Sequence, residues 1–282
     1  VVNVVATTGV GTTFSLMIND WAGGNLLLAL GLIALASLVL GTGLPVTASY
    51  IVLATLSAPA LYQLIAGSQL VDLLASGALP QAARDVLVAA QPSLAKALSA
   101  AMPAAEAEAL LQGLPSHVTG LVIERALDPG LLAVALLSAH MVIFWLSQDS
   151  NVTPPVCIVA FAAAAIAKTR PLATGFTSWK VAKGLYLIPV LFAYTPILSG
   201  DWAAPLQVFV FAGIALYALA GALDGYLEGP LGPLERGAAA AIGIALIWPD
   251  TLVLNLLAVP VLIGLALYSR RGAQLTAGST VK

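Results

Sequence analysis

Seven residues, Gly41-Thr42-Gly43-Leu44-Pro45-Val46-Thr47, interrupt an otherwise apolar stretch and set the main constraint on this chain. Leu26–Leu40 upstream is nearly all Leu, Ile, Val and Ala, and Ala48–Ala66 downstream is almost as apolar. In a helix interior Gly costs about 1 kcal/mol and Pro about 3 kcal/mol relative to Ala. Two glycines and a proline within five residues therefore end a regular helix. Inside a bilayer such a break exposes backbone N–H and C=O groups, the usual device for presenting them to a substrate or ion at mid-membrane depth. A second interruption, Ser147-Gln148-Asp149-Ser150-Asn151-Val152-Thr153-Pro154-Pro155, lies between Leu131–Leu146 and Val156–Ala167.

The setting of both breaks is lipid. The 282 residues are 60% hydrophobic and 9% charged, with a mean hydropathy of +0.99. Soluble domains carry about 25% charged and 45–50% apolar residues, so the expected class is an all-α integral membrane protein. The formal charge of −2 gives no reason to expect nucleic-acid binding. A single cysteine, Cys157, excludes an internal disulfide framework and reads as a small apolar packing residue. The chain opens on Val1 without a positive n-region or cleavage site, so it reads as a fragment whose upstream part is missing.

Residues 1–66 read as a membrane helix end followed by a re-entrant hairpin. Thr7, Thr8, Gly9, Gly11, Thr12 and Thr13 suit a close helix contact or the lining of a polar cavity. Asn19–Asn25 reads as an interfacial turn with Trp21 at headgroup level. Leu26–Leu40 spans roughly 22 Å at ~1.5 Å per residue, short of the ~30 Å hydrocarbon core. It therefore suits one limb of a hairpin with Gly41–Pro45 at its tip and Ala48–Ala66 as the returning limb.

Residues 67–130 gather nine of the 24 acidic and basic residues. Leu79, Ala83, Val86, Leu87, Ala90, Leu94, Ala97, Leu98 and Ala101 recur at helical spacing, and Pro80, Pro92, Pro103 and Pro115 mark helix starts. An amphipathic helical insertion outside the bilayer, on the periplasmic side, is expected, with His117 structural. Residues 131–200 read as a broken transmembrane helix, a loop with Lys168, Arg170, Lys180 and Lys183 and no acid, and a following helix Leu185–Leu198. The loop is a cytoplasmic topology signal. Residues 201–282 read as C-terminal membrane helices, of which Gly237–Trp248 is short for a span.

At the second break Asp149, Asn151 and Thr153 would be costly in lipid, an acid at a helix centre costing about 2.5–3.5 kcal/mol. They are expected to face a cavity, an ion or a partner. Pro154 and Pro155 remove two backbone donors and free the carbonyls those donors would engage. Such carbonyls, a hydroxyl and an amide suit a hard cation such as Na⁺. The start of the next half-helix at Val156 would instead favour an anionic group. A proline kink at the membrane surface is the competing reading. Gly41–Pro45 lacks the third glycine and βαβ context of a dinucleotide fingerprint. No nucleophile–base pair, metal-ligand spacing or phosphate-cradling loop is visible, so no enzyme and no cofactor are expected.

Three stretches carry a family likeness. Gly41-Thr42-Gly43-Leu44-Pro45-Val46-Thr47-Ala48-Ser49-Tyr50-Ile51-Val52, Trp145–Cys157 with its Thr153-Pro154-Pro155, and Thr174-Gly175-Phe176-Thr177-Ser178-Trp179-Lys180 occur in this order. Together they resemble the fused permeases of TRAP (tripartite ATP-independent periplasmic) transporters of the TAXI type, here the C-terminal half of the large subunit. The resemblance implies an elevator-type secondary transporter repeat in a bacterial inner membrane, importing organic anions such as C4-dicarboxylates by Na⁺ symport. It implies a periplasmic TAXI-type solute-binding protein as partner and the missing N-terminal half of the same permease. It places Gly41, Gly43, Pro45 and Thr47 at the hairpin tip and Asn151, Thr153, Pro154 and Pro155 in the facing loop, to which the reading of the second break adds Asp149. Na⁺ would then be held through Gly41, Thr47, Asn151 and Thr153. The rival readings are a receptor-independent carboxylate symporter of another elevator family and a non-transporting scaffold subunit.

Overall fold

A computed structural model describes residues 7–248 and 252–279. All regular structure among them is helical, apart from one isolated bridge between Tyr226 and Pro230. The helices are α1 (Val10–Ala22), α2 (Leu26–Gly41), α3 (Val46–Ser76), α4 (Gln81–Ala90), α5 (Ala104–Gln112), α6 (Ser116–Ala126), α7 (Pro129–Ser147), α8 (Ile158–Ala167), α9 (Pro171–Val181), α10 (Ile188–Tyr194), α11 (Ala203–Asp224), α12 (Pro233–Ile247) and α13 (Leu252–Ser279). Four stretches are long and apolar enough to cross a membrane: Val46–Ser76, Pro129–Asn151, Ala203–Asp224 and Leu252–Arg271. Internal packing divides the chain into two units, before and after the Ala193–Tyr194 bond.

In the first unit α2 and α3 pair as antiparallel arms. Asn25 starts α2 by accepting a hydrogen bond from the Leu28 N–H (2.9 Å). Gly23 and Gly24, both at positive φ, make the turn before it. Asn19, Asp20 and Trp21 belong to the last turns of α1 and not to that turn, a difference from the expected Asn19–Asn25 loop. The small residues Thr7, Thr8 and Thr13 are exposed; the contact of α1 with α3 uses Ser15, whose hydroxyl donates to the Leu56 carbonyl (2.6 Å). Asn19 Nδ2 adds a bond to Gln63 Oε1 (3.3 Å).

The returning arm differs most from expectation. α3 does not end near Ala66 but continues through Gly67 to Ser76, where Gly77 closes it in the left-handed region. Its 31 residues reach about 46 Å at ~1.5 Å each, well beyond the ~30 Å apolar thickness. Helices α5 and α6 pack on it and α4 packs on α6, so the charged insertion is seated on this helix. Pro80, Pro103 and Pro115 each sit immediately before a helix and Pro92 begins a 3₁₀ turn. Pro92 also ends the helical spacing: after Ala90 the chain makes only two short 3₁₀ turns, Pro92–Ala95 and Ala97–Ser99. His117 is exposed on α6.

α7 starts at Pro129 under Asp128, whose Oδ1 accepts from the N–H groups of Gly130 (2.8 Å) and Leu131 (3.1 Å). After the 3₁₀ turn Gln148–Asn151, α8 does not fold back along α7 but packs against α9. The stretch Leu185–Leu198 is not one helix. A 3₁₀ segment Ala182–Tyr186, the short α10 and a 3₁₀ turn Pro196–Leu198 replace it, because Pro189 and Pro196 each withhold a backbone donor.

The second unit is built on small residues. Ala215, Ala218 and Ala222 of α11 face Ala239 of α12, with Leu227, Leu231, Leu246, Ala258 and Leu262 completing the core. Arg236 donates from Nε to the Ala222 carbonyl (2.8 Å) and from a terminal nitrogen to that of Leu223 (2.9 Å), capping α11. The expected charged loop Asp224–Arg236 is thus shorter, with Asp224 ending α11 and Arg236 inside α12. The 15 residues of α12 are not among the span-length helices.

Candidate functional site

The two sequence breaks meet. The backbone of Gly41, last residue of α2, lies against the 3₁₀ turn at the end of α7. A Cβ on Gly41 would sit 3.4 Å from the Ser150 nitrogen and 3.5 Å from its Cα. One turn earlier Ser37, fully buried, donates from its hydroxyl to the Leu146 carbonyl (2.9 Å). The α3 side of the hairpin also packs on the turn Gln148–Asn151.

At this junction Asp149 is 1% exposed, and neither carboxylate oxygen has a hydrogen-bond partner of good geometry. The Thr153 hydroxyl, four residues on and 6% exposed, is likewise unpartnered. Their backbones are engaged: the Thr153 N–H donates to the Asp149 carbonyl (2.8 Å), which also accepts from Val152 (3.0 Å). The Tyr186 hydroxyl faces both side chains. It accepts from Trp179 Nε1 (3.0 Å). Three side-chain oxygens are thus buried at one place without a hydrogen bond of good geometry, and burying polar groups unpaired is costly.

Gly175 brings α9 to this loop. A Cβ there would lie 2.6 Å from Cys157 Sγ and 3.3 Å from Pro154 Cγ, so only hydrogen fits. Cys157 is fully buried beside it. The peptide Pro154–Pro155 is cis.

Of the nine residues singled out in the sequence, Gly41, Asp149 and Thr153 come together in the buried junction. Asn151 is half-buried and its amide donates to Gln148 Oε1 (3.3 Å) within the same turn. Pro154 is half-buried against α9, and Pro155 is exposed. Gly43, Pro45 and Thr47 are exposed at the hairpin tip. Ser37, Ser150, Tyr186 and Trp179 were not singled out. Trp179 and Ser150 fall within motif stretches, whereas nothing about Tyr186 or Ser37 marks them in an apolar sequence.

Among the described residues no group of three or more His, Cys, Asp or Glu side chains is placed to hold a metal ion. An all-oxygen set such as Asp149 and Thr153 suits a hard cation.

One family model, described as "Tripartite ATP-independent periplasmic transporter, DctM component", matches residues 1–198. The chain belongs to this family. Both breaks, the insertion and Tyr186 lie inside the matched region. No curated protein and no solved structure matches the chain. Membership makes it a membrane component of a TRAP transporter, working with the other TRAP components and a solute-binding protein. The packing of Gly41 on the turn that holds Asp149 is therefore a feature of a transport protein, and the four span-length helices belong to a multi-pass membrane subunit.

Proposed function

We propose that this TRAP permease imports organic anions, carboxylates in particular, by Na⁺ symport with a TAXI-type periplasmic binding protein, in a bacterial inner membrane. In this reading the chain is the C-terminal half of the large subunit and works as an elevator-type repeat, with α2–α3 as the re-entrant hairpin. The carrying observation is the set of unpartnered oxygens on Asp149 and Thr153, buried at the turn whose Ser150 packs against Gly41 of the hairpin. Buried oxygens of this kind are costly to leave unpaired, and a coupling cation would offset that cost when it binds. Ser37 and Gly41 fix the hairpin against the turn, and Tyr186, oriented by Trp179, orients the acid.

The test is uptake of labelled dicarboxylates by the full-length permease in proteoliposomes, with and without a Na⁺ gradient and the binding protein. Uptake that needs both supports the reading. Uptake without the binding protein favours a receptor-independent carboxylate symporter. Absence of uptake from a correctly folded preparation over a broad substrate panel favours a scaffold subunit.

A further inference from the structure

Where α8 ends and α9 begins the chain forms a cleft of about 1170 Å³ that shares no lining residue with the Asp149 junction. Lys168, Thr169, Arg170, Thr174, Thr177 and Ser178 form its polar wall, and alanine, proline and valine complete it. Lys168 closes α8 in the left-handed region at φ 53°, the one residue other than glycine at positive φ among those described. Glycine is the usual residue at that position, so a lysine is held there against its backbone preference. Arg170 then leads into α9, whose first turn has no side-chain cap. Pro171 has no N–H, and Thr174 is the first to reach back to a carbonyl, that of Arg170 (3.0 Å). The N–H groups of Leu172 and Ala173 are left at the positive end of the helix dipole.

The threonines are engaged within the loop. Thr174 Oγ1 donates to the Arg170 carbonyl (3.1 Å) and lies 2.8 Å from Thr169 Oγ1, and Thr177 donates to the Ala173 carbonyl (2.9 Å). The Lys168 and Arg170 head groups are exposed and make no hydrogen bond or ion pair with another described residue. No acid occurs in the sequence between Asp149 and Asp201, so nothing local neutralises them. Large apolar side chains stand bare beside these charges: Ile166 is 86% and Val181 79% exposed, and Leu172 and Phe176 more than half. Bare apolar side chains and free cations this close along a membrane protein belong at the boundary between lipid and water.

We propose that this cleft binds the phosphate head group of an anionic phospholipid. Arg170 offers the planar fork that matches phosphate oxygens and Lys168 a second, mobile charge. The uncapped start of α9 adds backbone donors of the kind that hold phosphate at helix ends. Basic pockets beside membrane helices meet the anionic lipids of the cytoplasmic leaflet, and the apolar side chains around the cleft receive the acyl chains. Size and lining select the lipid over a free anion. Sites for drug-sized ligands occupy about 300–1,000 Å³, so inorganic phosphate would leave most of this cleft unfilled and its apolar wall wet. The inference needs the chain to sit in a bilayer, which family membership supplies. It does not need the Na⁺ symport reading.

The test is native mass spectrometry of the full-length permease in detergent, titrated with phosphatidylglycerol and, separately, with phosphatidylcholine. The first phosphatidylglycerol should bind at least about tenfold tighter than phosphatidylcholine. Lys168→Gly and Arg170→Gln should each weaken it about fivefold, whereas Arg125→Gln, which removes an exposed charge from the insertion, should change it less than about twofold. Lys168→Gly suits the left-handed backbone, so the variant folds at least as well as wild type. A purely structural lysine would then show a raised Tm with unchanged lipid binding, and that result overturns the proposal. Equal affinity for the two lipids overturns it as well, as does a phosphatidylglycerol preference that survives both substitutions. Excess inorganic phosphate should leave the first lipid bound; its displacement would make the cleft a free-anion site and overturn the lipid assignment.

Discussion

Gly175→Ala is the most exacting test of how the loop is built. The added methyl would stand 2.6 Å from Cys157 Sγ, whereas non-bonded heavy atoms settle near 3.5–4.0 Å. About 1 Å of movement is needed. Cys157 is fully buried and Pro154, 3.3 Å away, is held in a ring, so neither yields freely. Overpacking of this size costs about 1–3 kcal/mol. Cys157→Ala removes the sulfur and nothing else, at the cost of a small cavity. The double variant should therefore recover most of the loss, giving a favourable coupling of about 1–2 kcal/mol in a double-mutant cycle. Thermal unfolding in detergent of all four proteins is the assay, with Gly41→Ala as a control because its neighbour is at ordinary contact distance (3.4 Å). Gly175→Ala as stable as wild type, or additive effects in the double variant, would refute this account of the packing.

The remaining predictions concern the ion, the hairpin and the insertion. Thr153→Val removes an unpartnered hydroxyl without changing shape, so stability in Na⁺-free buffer should hold or rise, while Na⁺ raises Tm less than in wild type. An unchanged Na⁺-dependent rise would remove Thr153 from the site. Asp149→Asn deletes the buried charge and should abolish the Na⁺ dependence of Tm and of uptake; retention of both would show that the cation binds elsewhere. Ser37→Ala breaks the buried tie to Leu146 and should cost about 1 kcal/mol in thermal unfolding; no loss would mean that the bond has no net value. Asp128→Ala should cost about 0.5–2 kcal/mol through loss of the α7 cap, most visibly in hydrogen exchange at Gly130 and Leu131.

Composition and punctuation determined much of this protein before any coordinates. The scarcity of charge and the long apolar runs required membrane helices, and the Gly–Pro and Asp–Pro–Pro breaks located the places where helices stop. Asp149 and Thr153 stood out because they are polar in apolar surroundings. What the sequence left open follows from the same apolarity. α2 is apolar all round, so no periodicity marks its buried stripe Leu26, Ala29, Leu30, Ile33, Ser37 and Gly41. Where lipid and core are equally apolar, burial is chosen by close fit and by small polar residues, and Ser37 is inward for that reason. The 31-residue length of α3 was equally hidden, since Gly67 looks like a stop, whereas the helix runs through it to Ser76 and carries α5 and α6. Tyr186 reaches Asp149 only through the turn of the chain after α9, where Trp179 bonds to it, a relation that local sequence does not carry. Helix identity and the break positions are local properties. Which breaks face each other is decided by tertiary packing.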